Sequence, residues 1–384
     1  MTLAHAVARR WDVVVVGAGP AGAIAAREAA CRGLAVLLVD HVLFPRPKVC
    51  GCCLSAAALG VLETIGLGGV PTRLGARPLS LFQWAAGRQR ASLPLPTGAA
   101  LSRALLDAAL VGEAVRRGVA FLPGVLATVD PDRRFIRRVI LRQGEASVSV
   151  DTRVVVVADG LGGSALSRHR GFDSIAHPAS RLGAAAIAEQ APGWYRPGTI
   201  FMACGPGGYV GLVRLEDGRL NLAAALDPAR VRQTGGVGAV VAQILRQADF
   251  PAIDARSALV WRGTPALTRR RARVADDRLF VIGDAAGYVE PFTGEGMAWA
   301  MASAVAVTPL VCEAAAQWTP SLAAQWTSRH RRLVRRRQAT CRWITQALRD
   351  PRLAQTLVGA AARLPGVAIP VVRGLQAPLA ECLV

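Results

Sequence analysis

Lysine is almost absent from this sequence: Lys48 is the only lysine among 46 basic residues. Arginine therefore carries nearly all of the formal net charge of +20, and the codon bias of a GC-rich genome explains such a composition without a nucleic-acid partner. The arginines are spread along the chain, and no nucleic-acid-binding motif accompanies them. We expect no nucleic-acid partner, although the positive surface would attract anionic lipid or an acidic substrate.

Signatures of several other site classes are also missing. Cys50, Cys52 and Cys53 lie close together, but no second ligand pair completes a zinc site. The C-terminal cysteines are too widely spaced to suggest an iron–sulfur cluster. No Gly-x-Ser-x-Gly nucleophile elbow is present, so a serine hydrolase is not indicated. The sequence predicts no metal.

Long apolar runs are absent as well. No run of 18 apolar residues is found, and the N-terminal apolar segment, 13–16, is too short for a signal peptide. We therefore predict a cytoplasmic protein without a membrane span. The run from Arg329 to Arg337 contains six arginines and is most simply a solvated helix face. The alternative is that it docks on a membrane surface or an acidic partner, which would make the protein peripheral to the membrane.

The N-terminal segment carries the pattern of a βαβ unit. The β-branched run at residues 12–16 predicts a strand buried on both faces of a parallel sheet. A glycine-rich turn follows, then a helical stretch from Ala21 to Arg32 and a second buried strand from Leu34 to Val39. The chain is therefore predicted to be an α/β protein.

The turn after the first strand reads Gly17-Ala-Gly19-Pro-Ala-Gly22. Gly17 permits the tight turn, Gly19 lets the backbone approach a pyrophosphate, and Gly22 lets the helix pack close to the strand. The free N–H groups and partial positive charge of the helix N-terminus favour a phosphate there. Asp40 follows the second strand, where a carboxylate can accept hydrogen bonds from an adenosine ribose. A dinucleotide site is predicted.

Two further strands end in small turns with an aspartate. The strand predicted at residues 154–158 leads into Asp159-Gly160, and the strand at 279–282 leads into Gly283-Asp284. Ligands of open α/β sheets bind at the carboxyl ends of the strands. Glycines of the segment 291–297 then precede a helix, where bare N–H groups can approach a flavin ring.

These motifs resemble those of FAD-dependent oxidoreductases of the geranylgeranyl reductase type, within the wider para-hydroxybenzoate hydroxylase-like flavoprotein group. The resemblance covers roughly residues 10 to 310. It implies that Arg103, in Arg103-Ala-Leu-Leu-Asp107, lies near the FAD phosphates and that Asp284 contacts the ribityl chain. The residues predicted to contact FAD are Gly17, Gly19, Pro20, Ala21, Gly22, Asp40, Lys48, Cys50, Gly51, Arg103, Leu126, Asp159, Gly160, Gly283, Asp284, Pro291, Gly294, Gly296 and Met297.

Two features favour the geranylgeranyl reductase branch. The segment 45–51, Pro-Arg-Pro-Lys-Val-Cys-Gly, is similar to that branch's Pro-Arg-x-Lys-x-Cys-Gly motif near the flavin, and Gly287 stands where aromatic hydroxylases carry histidine. The branch's Tyr-x-Trp-x-Phe-Pro stretch is replaced here by a segment beginning Gly208-Tyr209. The substrate therefore does not follow from the resemblance. Cys50 and Tyr209 are the candidate catalytic residues.

Short strands broken by glycine and proline fill residues 178–265, which indicates an inserted antiparallel sheet. We predict a Rossmann-like FAD-binding domain made of residues 1–77, 98–175 and 266–320. A mostly antiparallel β-sheet substrate domain would comprise residues 78–97 and 176–265, and a helical C-terminal tail would comprise residues 321–384.

The predicted function is an FAD-dependent oxidoreductase that uses NAD(P)H as a transient reductant. It would then reduce or hydroxylate an apolar or aromatic small molecule. One alternative is a flavin monooxygenase acting on a phenolic or polyketide-like substrate. The alternative from another class is a non-catalytic flavin-binding component of a biosynthetic assembly.

Overall fold

The computed structural model describes residues 1–132, 135–253, 259–290 and 292–375. Its strands in chain order are β1 (Trp11–Val16), β2 (Val36–Asp40), β3 (Cys53–Leu54), β4 (Arg77–Ala86), β5 (Gln89–Ala100), β6 (Ala120–Pro123), β7 (Leu126–Val129), β8 (Arg137–Gln143), β9 (Ala146–Val157), β10 (Ser174–Ala176), β11 (Leu182–Ala188), β12 (Thr199–Gly205), β13 (Gly208–Arg214), β14 (Leu220–Leu226), β15 (Arg262–Ala266), β16 (Arg269–Arg271), β17 (Ala275–Asp276), β18 (Leu279–Val281) and β19 (Gly287–Tyr288).

The α-helices are α1 (Leu3–Val7), α2 (Pro20–Ala30), α3 (Ala56–Thr64), α4 (Val70–Arg73), α5 (Arg103–Arg116), α6 (Pro228–Gln233), α7 (Val237–Gln247), α8 (Gly296–Ala316), α9 (Pro320–His330), α10 (Arg336–Ala347), α11 (Pro351–Arg363) and α12 (Pro365–Leu375). A 3₁₀ turn spans Gly283–Ala286, and a π-helical turn, Arg331–Arg335, joins α9 to α10.

The first sheet has a parallel centre in the order β18-β9-β1-β2-β6. Its central strand β1 is almost wholly buried, as its run of four valines predicts. The sequence predicts a separate strand at residues 154–158, but in the structure these residues belong to the longer strand β9. Its first half pairs with β8 and its second half with β1, and Thr152 pairs with both neighbours. Because β9 changes its pairing partner at Thr152, its burial changes there from alternating to continuous, and the sequence pattern changes with it.

The second sheet runs in the order β15-β11-β14-β13-β12-β4-β5-β3 and is antiparallel except for the β12–β4 pair. The hairpin of β4 and β5 therefore joins the strands from 182–266 in one sheet, which confirms the predicted α/β fold with a mostly antiparallel insert. Strand β5 continues to Ala100, beyond the predicted domain boundary at 97/98. A small third sheet has three strands in the order β10-β16-β19.

Helix α8 is the longest helix of the described chain and packs against α2 and α3. By length and composition it would pass for a membrane span, although it contains no uninterrupted run of 18 apolar residues. However, 78% of its most apolar window is buried inside the protein. Apolar residues cover its whole circumference, which is expected of a helix that is surrounded by protein in the core.

Candidate functional site

A cavity of about 1040 Å³ extends from the carboxyl ends of the parallel strands to the face of the second sheet. This volume is at the upper end of the range for small-molecule sites, so one ligand of ordinary size does not fill it. One part is lined by the loops after β1, β2, β9 and β18. The other part is lined mainly by apolar side chains of the second sheet and of the C-terminal helices.

The glycine-rich turn is closely packed at two of its three glycines. A Cβ added to Gly17, whose φ is +99°, would lie 2.3 Å from the Ala158 carbonyl oxygen. A Cβ on Gly22 would lie 1.7 Å from the Gly17 carbonyl oxygen. The turn after β1 can therefore lie against the end of β9 only if Gly17 lacks a side chain, and α2 can pack on this turn only if Gly22 lacks one, as the sequence motif predicts.

The space beside Gly19 is bounded by cationic groups. The atoms nearest to an added Cβ are Nη2 of Arg46 at 3.7 Å and Nη2 of Arg103 at 3.9 Å. Gly19 is the N-cap of α2, and no side chain caps this helix end. Unpaired helix N–H groups facing two guanidinium groups are what a diphosphate requires. Among the predicted contacts, Pro20 lines the cavity here and Ala21 is buried beside it.

The two arginines are held by buried carboxylates. Nε and Nη2 of Arg103 each lie 2.8 Å from an oxygen of Asp107, one turn along α5. Arg46 lies between Asp107, at 3.6 Å, and Asp40, at 3.8 Å, and its Nε has no hydrogen-bond partner among the described residues. Sequence reasoning missed Arg46 and Asp107 as site residues, although both lie in motifs quoted for the resemblance.

Asp40 lies at the end of β2 and lines the cavity. Its Oδ2 accepts the Ala18 backbone N–H at 2.7 Å, and its Oδ1 accepts the Val42 backbone N–H at 3.0 Å. The carboxylate therefore fixes the glycine turn as well as facing the predicted ribose position. Leu126, at the start of β7, also lines this part of the cavity and is 43% exposed.

Asp159 and Asp284 both line the cavity, but their carboxyl groups have different surroundings. One oxygen of Asp159 accepts the Ala165 N–H at 2.9 Å, and the other is buried without a partner in the part of the chain that the structure describes. Burial raises the pKa of Asp159. Gly160, with φ +76°, reverses the chain beside it. Burial raises the pKa of Asp284 to about 6, and Lys48 opposes the shift.

Lys48 reaches the loops of the first sheet from the 45–51 segment. Its Nζ lies 3.6 Å from the position of a Cβ on Gly160. Burial and the guanidinium groups of Arg46 and Arg103 lower the pKa of Lys48, while Asp284 raises it. Lys48 therefore connects the predicted phosphate end to the predicted ribityl end of the site.

Cys50 lies in the middle of the cavity wall and is half-buried. Hydrogen bonding from Cys52 and the nearby charge of Arg103 lower the pKa of the Cys50 thiol to about 5, although burial opposes the shift. The Cys52 backbone N–H also points to the Cys50 Sγ at 3.4 Å, and Cys52 has a positive φ of +57°. The Asn221 side-chain amide donates to the Cys50 carbonyl at 3.1 Å, which ties this loop to the second sheet. Gly51 beside it also lines the cavity.

The last group of predicted residues surrounds the start of α8. A Cβ on Gly283, which has φ +58°, would lie 2.9 Å from the Ala21 Cβ, so the 3₁₀ turn packs directly on α2. Gly294, Gly296 and Met297 line the cavity. A Cβ on Gly294 would meet no atom of the described residues within 4 Å, which leaves its backbone open to a ligand. Pro291 lies outside the described residues.

Tyr209 lies on β13 in the apolar part of the cavity, away from the phosphate end. Its ring stacks edge-on against Phe292 at 5.1 Å, and the Arg181 guanidinium lies over it at 5.7 Å. The Tyr209 hydroxyl is buried and has no hydrogen-bond partner within the described chain. Burial raises the pKa of Tyr209 well above its usual range, so it is a neutral hydroxyl.

Comparison with known proteins agrees with this geometry. A segment of 154 residues is 36% identical to a menaquinone reductase of Mycobacterium tuberculosis, covering 39% of this chain and 37% of that protein. The chain thus matches little more than a third of that relative's length. Digeranylgeranylglycerophospholipid reductase 2 of Methanothermobacter thermautotrophicus is 27% identical over 300 residues, covering 75% of this chain and 74% of that protein.

Among solved structures, the flavin-dependent brominase Bmp2 has a TM-score of 0.79 at 16% identity, covering 96% of this chain and 94% of that one. The p-nitrophenol 4-monooxygenase PnpA of Pseudomonas putida has a TM-score of 0.77 at 16% identity, covering 97% and 98%. These similarities show the fold. A family model described as FAD binding domain matches residues 10–338. Since that match covers most of the chain, the protein belongs to the FAD-binding domain family, and its cofactor is FAD.

Proposed function

We propose that this protein is an FAD-dependent oxidoreductase that takes electrons from NAD(P)H and reduces a carbon–carbon double bond in an apolar small molecule. The observation that carries the proposal is the apolar part of the cavity, which is continuous with the predicted FAD contacts. Aromatic and aliphatic side chains line it: Phe82, Trp84, Leu93, Leu95, Met202, Leu267, Phe292, Ile344, Leu357 and Leu364. An apolar substrate gains free energy by leaving water for such a surface.

The residues of the chain have separate roles in this proposal. Bound FAD supplies two-electron transfer between a nicotinamide and an organic substrate. Gly19, Arg46 and Arg103 would hold its diphosphate, and the backbone at Gly294 and Gly296 would approach its ring. The apolar side chains would orient the substrate and exclude water from the reacting carbon atoms.

The relatives support reduction as the reaction class. Two of them are named as reductases, of menaquinone and of digeranylgeranylglycerophospholipid, and the second spans three quarters of this chain. The monooxygenase and the brominase are related at 16% identity, which supports the fold alone.

Hydroxylation of a phenol is the second candidate, and one observation favours it. Tyr209 lines the cavity, and its buried hydroxyl lacks a partner among the described residues; a phenolic oxygen would pair with it once the side chain turns toward the cavity. A hydrocarbon substrate, which has no hydrogen-bonding group, would leave this hydroxyl unpaired.

Anaerobic flavin spectroscopy tests the proposal. NADPH or NADH should bleach the FAD absorbance, and an isoprenoid alkene should restore it without oxygen, with the saturated product found by mass spectrometry. Restoration that requires oxygen and yields a hydroxylated phenol would favour the second candidate. A flavin that neither nicotinamide reduces would instead favour a non-catalytic role.

A variant in the apolar part of the cavity tests whether the substrate binds there. Met202 lines the apolar part of the cavity and is not among the residues predicted to contact FAD. Met202→Trp should reduce the space for substrate and raise KM at least tenfold, while FAD content and the rate of reduction by NADPH stay unchanged. An unchanged KM would place the substrate elsewhere.

A further inference from the structure

The cavity reaches the protein surface beside the two C-terminal helices. Leu357, Leu364 and Val367 line the cavity and are also 37%, 60% and 66% exposed. Side chains with both properties mark the rim of the opening. The rim is thus apolar on the side formed by α11 and α12.

The apolar rim is part of a longer exposed stripe. Leu353, Leu357 and Ala360 are spaced by four and three residues, which places them on one face of α11. Leu364 follows the end of α11 and Val367 lies on α12, and both line the cavity together with Leu357 and Ala360. All five are exposed, whereas the adjacent face of α11 buries Ala354, Val358 and Ala361 against the second sheet. A contiguous exposed apolar surface of this kind indicates a binding surface.

The charges around the stripe have one sign. Residues 351–375 contain three arginines, Arg352, Arg363 and Arg373, and no acidic residue. All three are exposed, and Arg352 and Arg363 form no ion pair within the described chain. Asp350 is the nearest acid in sequence, and its side chain caps the N-terminus of α11.

A further arginine comes from another element. The turn of the β4–β5 hairpin packs on α11, since a Cβ on Gly87 would lie 2.9 Å from the Gln355 amide carbon. The next residue, Arg88, is exposed at this turn. An apolar stripe flanked by unpaired arginines is complementary to a bilayer with anionic headgroups, because the acyl layer takes the apolar side chains and the headgroups take the guanidinium groups.

The arginine-rich run Arg329–Arg337 lacks this combination. Its apolar residues, Leu333 and Val334, are buried, so nothing apolar is available for insertion. Arg329 and Arg335 donate to the backbone carbonyls of Ala306 and Arg271. These contacts fit a solvated helix packed on its own protein.

We propose that the exposed face of α11 and α12, with Arg88 of the β4–β5 turn, docks on an anionic lipid bilayer and brings the rim of the cavity to the acyl layer. The docking does not depend on which reaction the flavin carries out. An apolar ligand dissolved in the bilayer would then enter the cavity without crossing water.

Co-sedimentation of the full-length, FAD-loaded protein with vesicles tests this proposal. We expect binding to vesicles of phosphatidylcholine with phosphatidylglycerol, and much weaker binding to phosphatidylcholine alone. Each of Arg352→Ser and Arg363→Ser should weaken binding about fivefold, and added salt should reduce binding of the parent protein. Leu353→Ser should weaken it about tenfold by removing an inserted side chain.

Matched controls use exposed residues of the same type on other elements. Arg117→Ser, after α5, and Ile175→Ser, on β10, should bind as the parent does, and retained FAD shows that every variant is folded. The proposal is overturned if the parent does not bind anionic vesicles, or if the control variants lose as much affinity as the test variants. The proposal would also be overturned if the double variant Arg331→Ser/Arg332→Ser lost more vesicle affinity than the double variant Arg352→Ser/Arg363→Ser. Docking would then belong to the Arg329–Arg337 run.

Discussion

Three glycines in the turn between β1 and α2 are required for different reasons. Gly17 and Gly22 face backbone atoms at distances that no Cβ tolerates. Gly19 has ordinary extended angles, φ −70° and ψ −177°, and no atom within 3.5 Å of an added Cβ. The packing of the protein itself therefore does not require a glycine at position 19. We infer that the bound ligand requires it.

Gly19→Val should abolish FAD binding without unfolding the protein. The isopropyl group would occupy the space between the helix N-terminus and the guanidinium groups of Arg46 and Arg103, where the diphosphate is expected. FAD content of the purified protein and far-UV circular dichroism measure the two effects. Gly60→Val, at an open position of α3, should keep its flavin. Full occupancy in Gly19→Val would show that the diphosphate binds elsewhere.

The Cys50 thiol interacts with Arg103 at the phosphate end of the site, and the Cys50 carbonyl accepts the Asn221 side-chain amide of the second sheet. If the thiol faces the substrate, Cys50→Ser should change turnover or KM without changing FAD content. Cys53→Ser is the matched control, because the Cys53 Sγ is directed to the Gly51 carbonyl at 3.2 Å. Equal turnover in both variants and the parent would remove the cysteine segment from catalysis.

The ionisation of Cys50 should also make stability depend on pH. Its pKa is about 5 in the folded protein, against an ordinary value of 9.0, so the folded state favours the thiolate. This contribution is fully present above about pH 9 and is lost as pH falls through about 5. The difference in unfolding free energy between the parent and Cys50→Ser should therefore shrink over this range. Urea titrations at several pH values measure it, and a constant difference would refute the thiolate.

At the scale of elements, the C-terminal helices are attached to the rest of the protein at the turn between α10 and α11. Arg349 in this turn donates to the Ala179 carbonyl at 2.6 Å and lies 3.7 Å from Glu290 and 3.6 Å from Asp227. Glu290 is also bound by Arg181 at 2.9 Å, and both side chains are buried. One cluster of charges thus joins the second sheet, the loop before α8 and the C-terminal helices.

Arg349→Ala should loosen α11 and α12. Removing the guanidinium group leaves the Ala179 carbonyl and the buried Glu290 with one partner fewer, which costs about 1–3 kcal/mol. Limited proteolysis should then cleave within residues 351–375 faster than in the parent protein, with the fragments identified by mass spectrometry. Arg352→Ala, three residues away and without an ion-pair partner in the described chain, should not change the rate.

The elements most visible in the sequence were those with a local cause. The valine run of β1 and the glycine turn both follow from backbone sterics or burial. The structure adds what depends on distant partners. Arg46 becomes a site residue only because Asp40 and Asp107 converge on it, and β9 is one strand because two neighbours share it. Neither relation leaves a local pattern in the sequence.

At the scale of the whole molecule, the cavity lies between the two large sheets, and its walls come from segments far apart in the chain. The loops of the first sheet supply the cationic and glycine positions, while the second sheet and the C-terminal helices supply the apolar ones. The Asn221–Cys50 hydrogen bond and the Arg181–Glu290 ion pair connect these parts directly. A ligand that fills the cavity adds contacts to both sides, so binding should stabilise the entire fold.

Protein freed of its flavin should therefore melt at a lower temperature than the FAD-loaded protein, and FAD should restore the difference. A ligand at a hundred times its Kd stabilises the folded state by about 2.7 kcal/mol. FMN should restore little of it, because it lacks the adenylate half that the Gly19 turn and Asp40 would bind. Thermal unfolding with FAD, FMN or ADP separates the contributions, and ADP alone should give part of the effect. Equal stabilisation by FMN and FAD, or flavin released by denaturation that proves to be FMN, would contradict the adenosine site at the first glycine motif.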